Sequence, residues 1–153
     1  MRLVTRSDFD GLACAALLEE LGIVDDIFYA HPKDIQDGKV KVTENDVLAN
    51  VPYVEGCGLW FDHHSSEQER LQIKGKFKGA CEMEPSAARV VYNYYMKDGK
   101  NAAKLKRFEE MVVAWPVHQR RIVDRGRVLH RSALRIESCE AQREEIAFAQ
   151  ILR

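Results

Sequence analysis

Two short segments of the chain carry side chains that commonly bind metal ions or transfer protons. These side chains are Asp8, Asp10, Asp62, His63 and His64. Each segment follows an apolar run that predicts a β-strand, so both sets of side chains are expected where a strand ends. Paired carboxylates suit a hard divalent cation such as Mg²⁺ or Mn²⁺, and a histidine adds a metal ligand or a proton carrier.

Each segment also has a simpler structural interpretation. Acidic residues are common at helix starts, where Asp10 would cap a helix and Asp8 would form a turn. In extended backbone, by contrast, Asp8 and Asp10 would point to the same side, because side chains alternate along a strand. The same alternation would place Asp62 and His64 on one side and His63 on the other, unless the chain turns there.

The elements around the first segment predict an α/β fold. Residues 3–5 have the pattern of a strand, residues 12–21 that of a helix that ends at Gly22, and residues 27–30 that of a second strand. This order is a βαβ unit, which favours a mainly parallel sheet flanked by helices. Both polar segments would then emerge at the carboxyl edge of one sheet, where α/β proteins build their sites. Together they favour a pair of metal ions that activates water for attack on phosphorus.

Further strands and helices are expected along the chain. Strands are predicted at residues 46–51 and 57–61, and residues 74–79 form either an edge strand or a loop. A helix is expected to begin at Pro85, because proline is favoured at the first helical position. Another helix is expected over residues 102–114, where apolar side chains recur at helical spacing.

The properties of the whole chain are those of a soluble globular protein. The chain has 153 residues, a net charge of −1 and 46% hydrophobic residues. No apolar run approaches the roughly 20 residues that span a bilayer, and the first residues lack a signal-peptide pattern. We therefore expect a cytoplasmic protein with no membrane partner. The widely spaced cysteines are expected to be free thiols rather than zinc ligands; they are Cys14, Cys57, Cys81 and Cys139.

The composition changes abruptly after residue 114. Residues 1–114 contain ten lysines and five arginines, whereas residues 115–153 contain eight arginines and no lysine. We expect residues 1–114 to form one domain and residues 115–153 to be an arginine-rich tail produced by a frameshift or a truncated gene. The alternative is a native basic tail, either solvated or bound to a phosphate backbone.

The two polar segments resemble motifs of the DHH phosphoesterase superfamily. The matching stretches are Ser7-Asp8-Phe9-Asp10-Gly11-Leu12 and Asp62-His63-His64, and the resemblance extends over about residues 2–114. It implies a DHH-type α/β domain with Mn²⁺ or Mg²⁺ as cofactor. By this resemblance Asp8 and Asp10 bind different metal ions, and His63 is a further metal ligand. His64 would contact the phosphoryl group, and Asp62 would orient neighbouring ligands.

The resemblance is incomplete at two acidic positions. The superfamily has an aspartate that bridges both metal ions near the end of the third strand, where this chain has Asn50. An amide is neutral and bridges two cations poorly, and Asp46 lies at the wrong end of that strand. Another aspartate is expected after the helix that ends near Ala114, where the sequence reads Trp115-Pro116-Val117-His118. The smaller substrate-binding domain of the superfamily is also expected to be absent.

The resemblance implies a phosphoesterase that hydrolyses a phosphodiester or a phosphoanhydride, related to exopolyphosphatases or to oligonucleotide phosphodiesterases. Its partner would be a phosphorylated small molecule, polyphosphate or a short oligonucleotide, and a homodimer is left open. The two missing acids leave a second interpretation open. In that interpretation the chain is an inactive remnant, or a phosphate- or nucleotide-binding module without turnover.

Overall fold

The sheet of the protein is built from short strands that all run in the same direction. A computed structural model describes residues 1–65, 77–97 and 99–113. Within these residues the strands are β1 (Arg2–Thr5), β2 (Asp26–Tyr29), β3 (Asp46–Ala49), β4 (Leu59–Asp62) and β5 (Gly79–Cys81). They form one parallel sheet with the order β2-β1-β3-β4-β5. The predicted α/β class with a mainly parallel sheet is therefore confirmed.

Helices link β1 to β2 and β2 to β3, and further helices follow β5. They are α1 (Phe9–Glu20), α2 (Pro32–Gln36), α3 (Ala87–Met96) and α4 (Ala102–Leu105). The expected start of α3 at Pro85 is wrong, because Ser86 is the N-cap and its hydroxyl accepts the N–H of Arg89 at 3.1 Å. The helix therefore begins at Ala87, behind a side chain that satisfies one of its free amides.

The helix expected over residues 102–114 is not continuous. A 3₁₀ helix, Lys106–Phe108, follows α4, and the chain is helical again at residues 109–113. Leu105 and Phe108 are both buried. A 3₁₀ turn places residues three apart on one side, so both side chains stay on the buried face.

Neighbouring residues of each central strand pack into different layers. Leu3 and Phe61 belong to the larger core cluster, with α1 and α3, whereas Val4 and Trp60 pack with Ile35 of α2. The sheet is thus buried on both faces, as expected for parallel strands. The carboxyl edge of this buried sheet carries the polar segments.

Strand β5 depends on a glycine. Gly79 has a φ of +118°, and a Cβ there would lie 2.0 Å from the carbonyl oxygen of Trp60. Only glycine permits this conformation and this close approach. Of the stretch 74–79, residues 74–76 lie outside the described residues, residues 77 and 78 belong to no strand, and Gly79 begins the edge strand.

The remaining predictions are tested only in part. No helix among the described residues is long and apolar enough to cross a membrane. Cys14 and Cys57 are free thiols, as predicted. Cys139 and the arginine-rich tail lie outside the described residues, so the expected boundary after residue 114 stays a prediction.

Candidate active site

The candidate site lies at the carboxyl ends of β1, β3 and β4. The connection after β1 supplies Asp8 and Asp10, the residue after β3 is Asn50, and β4 leads into Asp62-His63-His64. Because β3 lies between β1 and β4 in the sheet, its end separates the two segments that the motifs single out. Parallel strands bring all these ends to one edge, where α/β proteins build their sites.

Asp8 is the N-cap of α1 and is held by several donors. Its Oδ1 accepts the N–H of Gly11 at 2.9 Å and the Nδ2 amide of Asn50 at 3.0 Å. Its Oδ2 lies 3.0 Å from Nε of Arg6. The carboxylate is therefore fixed in orientation and partly neutralised.

Asp10 lies in the first turn of α1 and not in extended backbone. Both sequence-based descriptions of this turn are therefore wrong, because Asp8 rather than Asp10 caps the helix and the alternation of a strand does not apply. The two oxygens of Asp10 accept the backbone N–H groups of Ala87 at 2.8 Å and Ala88 at 2.9 Å. These amides belong to the first turn of α3, so a buried carboxylate of α1 binds the N-terminus of α3.

Asp10 also faces His63. The Nε2 of His63 lies 3.6 Å from Oδ2 of Asp10, and its Nδ1 lies 3.1 Å from the carbonyl oxygen of Glu84. A carbonyl only accepts, so Nδ1 carries a hydrogen, and in the neutral imidazole Nε2 then presents its lone pair towards the carboxylate.

The spacing of these two atoms fits a divalent cation. A separation of 3.6 Å is too long for a direct hydrogen bond. It is short enough for both atoms to bind one ion, since two ligands each about 2.1 Å from an ion lie at most about 4.2 Å apart. Carboxylate and imidazole are also ligands that Mn²⁺ accepts. This donor set therefore fits the metal that the resemblance implies.

Asp62 is buried at the end of β4 and holds the two histidines that follow it. Its Oδ1 accepts the backbone N–H of His63 and pairs with Nδ1 of His64, both at 2.8 Å. The ring centroids of the histidines lie 4.2 Å apart, and all three residues offer a ligand atom within 4.8 Å of one another. The chain turns after β4, so His63 is not carried to the opposite side of the sheet.

Asn50 occupies the position between the two segments. It is 3% exposed and has a φ of 57°, a left-handed conformation that asparagine adopts more readily than most residues. Its side chain donates to Asp8 and adds no acidic ligand. Asp46 lies at the amino end of β3, where it pairs with Arg2 at 2.7 Å, so it does not replace the missing acid.

The surroundings of the site change the pKa of two of its groups. Burial raises the pKa of Asp10, although the amides of Ala88 and Ala87 oppose this effect. The hydrogen bond with Asp62 raises the pKa of His64, so this imidazole keeps its proton to a higher pH than an ordinary histidine. A buried carboxylate that resists ionisation gains most from a nearby cation, because the cation favours its charged form.

Gly11 allows α1 to begin directly against the end of β1. A Cβ at this position would lie 2.1 Å from the carbonyl oxygen of Arg6 and 2.7 Å from Oγ1 of Thr5. The same hydroxyl donates to the carbonyl oxygen of Ala49 at 2.8 Å, which ties β1 to β3 below the site. The group that approaches Gly11 most closely is therefore the backbone of Arg6.

The motifs did not reveal the backbone groups that orient the site. These are the amides of Ala87 and Ala88 and the carbonyl of Glu84. Two alanines after a serine N-cap are only a weak sequence signal of such a contact. Small residues at a helix start allow another group to come close to the backbone amides, but they do not require it. The sequence does not say which group approaches, since Asp10 is distant along the chain.

Comparison with known proteins gives an informative likeness to a solved structure. No protein-family model matches the chain, and no curated protein matches it. Among solved structures the chain is similar to PggH, a pGpG-specific phosphodiesterase from Vibrio cholerae. The sequence identity is 49%, the TM-score is 0.52, and the match covers 61% of this chain and 29% of PggH. The likeness supports, in coarse terms, the resemblance to DHH-type phosphoesterases that the motifs indicate.

Proposed function

We propose that this chain carries the metal-binding part of a phosphodiesterase that hydrolyses a short linear dinucleotide of the pGpG type. The 3.6 Å separation between Nε2 of His63 and Oδ2 of Asp10 carries this proposal, because it brings together one ligand atom from the start of α1 and one from the segment after β4. The likeness to PggH supports phosphodiester hydrolysis, and pGpG enters as the substrate of that protein. Since this chain matches less than a third of PggH, substrate and activity are proposed for the site alone.

Asp8, Asp10 and His63 would hold Mn²⁺ or Mg²⁺, which supplies charge stabilisation and an activated water when bound. Asp10 keeps both oxygens in place because two amides of α3 donate to them. His63 keeps its Nε2 lone pair directed at the site because Nδ1 donates to Glu84. These contacts fix the ligand atoms before any ion binds, which reduces the cost of ordering them.

His64 and Asp62 would act on the phosphoryl group. The hydrogen bond that His64 donates to Asp62 favours the protonated form of His64. A protonated imidazole, half exposed beside the site, can donate to a phosphoryl oxygen and stabilise the negative charge that develops there. Asp62 is then a positioning residue, since it is buried and acts through the two histidines.

Hydrolysis of bis(p-nitrophenyl) phosphate with Mn²⁺ tests the proposal, because this phosphodiester requires no nucleotide recognition. We expect Mn²⁺-dependent hydrolysis by the protein and a loss of about 100-fold or more in Asp10→Asn. Asp46→Asn is the matched control, since Asp46 is equally buried at the opposite edge of the sheet. Asp10→Asn as active as Asp46→Asn, or no Mn²⁺-dependent hydrolysis by the unaltered protein, would contradict the proposal.

A second candidate function is binding of a phosphorylated ligand without turnover. The Asn50 amide favours it, because it donates to Asp8 where the superfamily has a bridging acid. This alternative keeps Mn²⁺ and phosphate binding but gives no hydrolysis of any phosphodiester. The same assay, run alongside a binding measurement, separates the two functions.

A further inference from the structure

A cleft of about 210 Å³ lies next to the candidate site, at the carboxyl ends of β1 and β2. One wall is the segment 6–8 after β1, and the other is the segment 29–32 at the end of β2. Asp8 lines the cleft, so the cleft and the candidate metal site share a residue. A volume of this size is below the roughly 300–1,000 Å³ of sites that hold whole drug-sized ligands, so it suits one part of a larger substrate.

The two walls are held at a fixed distance by backbone pairing. Thr5 of β1 is in register with Tyr29 of β2, and the N–H of Ala30 donates to the carbonyl oxygen of Thr5 at 2.9 Å. Both walls therefore start from hydrogen-bonded strand ends. The cleft exists before a ligand arrives, which reduces the entropy lost on binding.

The side chains that line the cleft can bind a nucleobase, because they offer an aromatic ring for stacking and hydrogen-bond donors. Tyr29 is 48% exposed at the end of an edge strand, and its ring offers a face on which a base can stack. His31 accepts the N–H of Lys33 on Nδ1, so its hydrogen lies on Nε2 and is available for donation. Arg6 pairs with Asp8 through Nε, and its guanidinium carries further donors. Donors beside a stacking ring suit the O6 and N7 acceptors of guanine.

We infer that this cleft binds the nucleobase of the nucleotide next to the scissile phosphate, with the base stacked on Tyr29. The inference rests on the proposed function, because it extends the same site towards its substrate. Stacking on Tyr29 supplies affinity for a base, and the shared residue Asp8 places the sugar-phosphate next to the candidate metal ligands.

Binding of GMP to the full chain, in the presence of EDTA, tests this inference, since chelation prevents capture of the phosphate by a metal ion. We expect GMP to bind more tightly than ribose 5-phosphate, which lacks the base. Tyr29→Ala should weaken GMP binding about tenfold, because it removes the stacking face. Phe28→Ala is the matched control: Phe28 is similarly exposed on the same strand, does not line the cleft and should leave GMP binding unchanged.

Tyr29→Trp provides a second variant in case the alanine variant does not fold. It keeps an aromatic face and should bind GMP at least as tightly as the unaltered protein. Equal GMP affinity in Tyr29→Ala and Phe28→Ala, equal affinity for GMP and ribose 5-phosphate, or loss of binding in a folded Tyr29→Trp would overturn the inference. Hydrolysis of bis(p-nitrophenyl) phosphate without any GMP binding would overturn it while the proposed function stands. Tyr29-dependent GMP binding without hydrolysis would support it while the proposed hydrolysis fails.

Discussion

At the scale of single residues, Asp10 connects the segment after β1 with the segment after β4 in the candidate site. It is a residue of α1, its oxygens accept two amides from the start of α3, and it faces Nε2 of His63 beyond β4. A buried carboxylate in an apolar core is costly unless donors or cations surround it. The amides supply the donors, and the facing imidazole leaves room for a cation.

Asn50 gives a prediction about charge at the site. Asn50→Asp would place a second carboxylate at the position from which the amide donates to Oδ1 of Asp8 at 3.0 Å. We expect the metal-free variant to unfold at a lower temperature, because two like charges would repel. Mn²⁺ should raise its unfolding temperature more than that of the unaltered protein, since a cation relieves this repulsion. Thermal unfolding with and without Mn²⁺ measures both effects.

Asn50→Ala is the control for that comparison. It removes the hydrogen bond to Asp8 and places alanine in a left-handed conformation, which together cost about 1–3 kcal/mol, but it adds no charge. Its stabilisation by Mn²⁺ should not exceed that of the unaltered protein. A Mn²⁺ effect in Asn50→Asp no larger than in Asn50→Ala would show that charge at this position does not act on the metal site.

The candidate site depends most on the position of the start of α1. Alanine normally stabilises a helix relative to glycine by about 0.5–1 kcal/mol. At Gly11 we expect the opposite, because a Cβ would meet the carbonyl oxygen of Arg6 at 2.1 Å. Gly11→Ala should destabilise the protein by about 1–3 kcal/mol and reduce Mn²⁺ affinity, since the turn that carries Asp8 must move. Urea unfolding gives the sign of the stability change, and a stabilised variant would contradict the account.

The ion pair between β1 and β3 gives a pH-dependent prediction. Burial of Asp46 opposes its ionisation, but hydrogen bonds from Arg2 and Thr43 outweigh this effect and hold the pKa below its usual value. The stabilisation is therefore fully present above the unfolded pKa of about 4 and is lost as the pH falls through the lower folded value. Asp46→Asn should cost about 1–3 kcal/mol at pH 7 and less at pH 3. Urea unfolding at both pH values measures this, and an equal cost at both would contradict it.

The sequence predicted those elements that local patterns determine. The βαβ unit followed from the apolar run at residues 3–5 and the alanine-rich helix after it. Pairings between distant residues were not predictable, because a hydrogen bond from Ala87 to Asp10 leaves no local pattern. The motifs therefore identified residues of the site, whereas Asp8 at the N-cap and the turn after β4 emerged only from the structure.

At the scale of the whole molecule, the strand order determines which groups lie next to one another at the carboxyl edge of the sheet. In the order β2-β1-β3-β4-β5, the cleft lies at the ends of β2 and β1, and the candidate metal ligands lie at the ends of β1 and β4. The proposed base site and the proposed hydrolytic site are therefore consecutive along one edge of the sheet. The amino edge carries the Arg2–Asp46 pair, which contributes to stability and not to the site.

Mn²⁺ binding measured by titration calorimetry tests most directly whether Asp10 and His63 form one cation site across the sheet. We expect the unaltered protein and Asp46→Asn to bind Mn²⁺ alike. Asp10→Asn and His63→Ala should each bind it more than about tenfold more weakly, because even residues that only support metal ligands typically contribute about 10–100-fold to affinity. If His63→Ala binds Mn²⁺ as tightly as the unaltered protein, or if the unaltered protein binds none, the two strand ends do not form a common metal site.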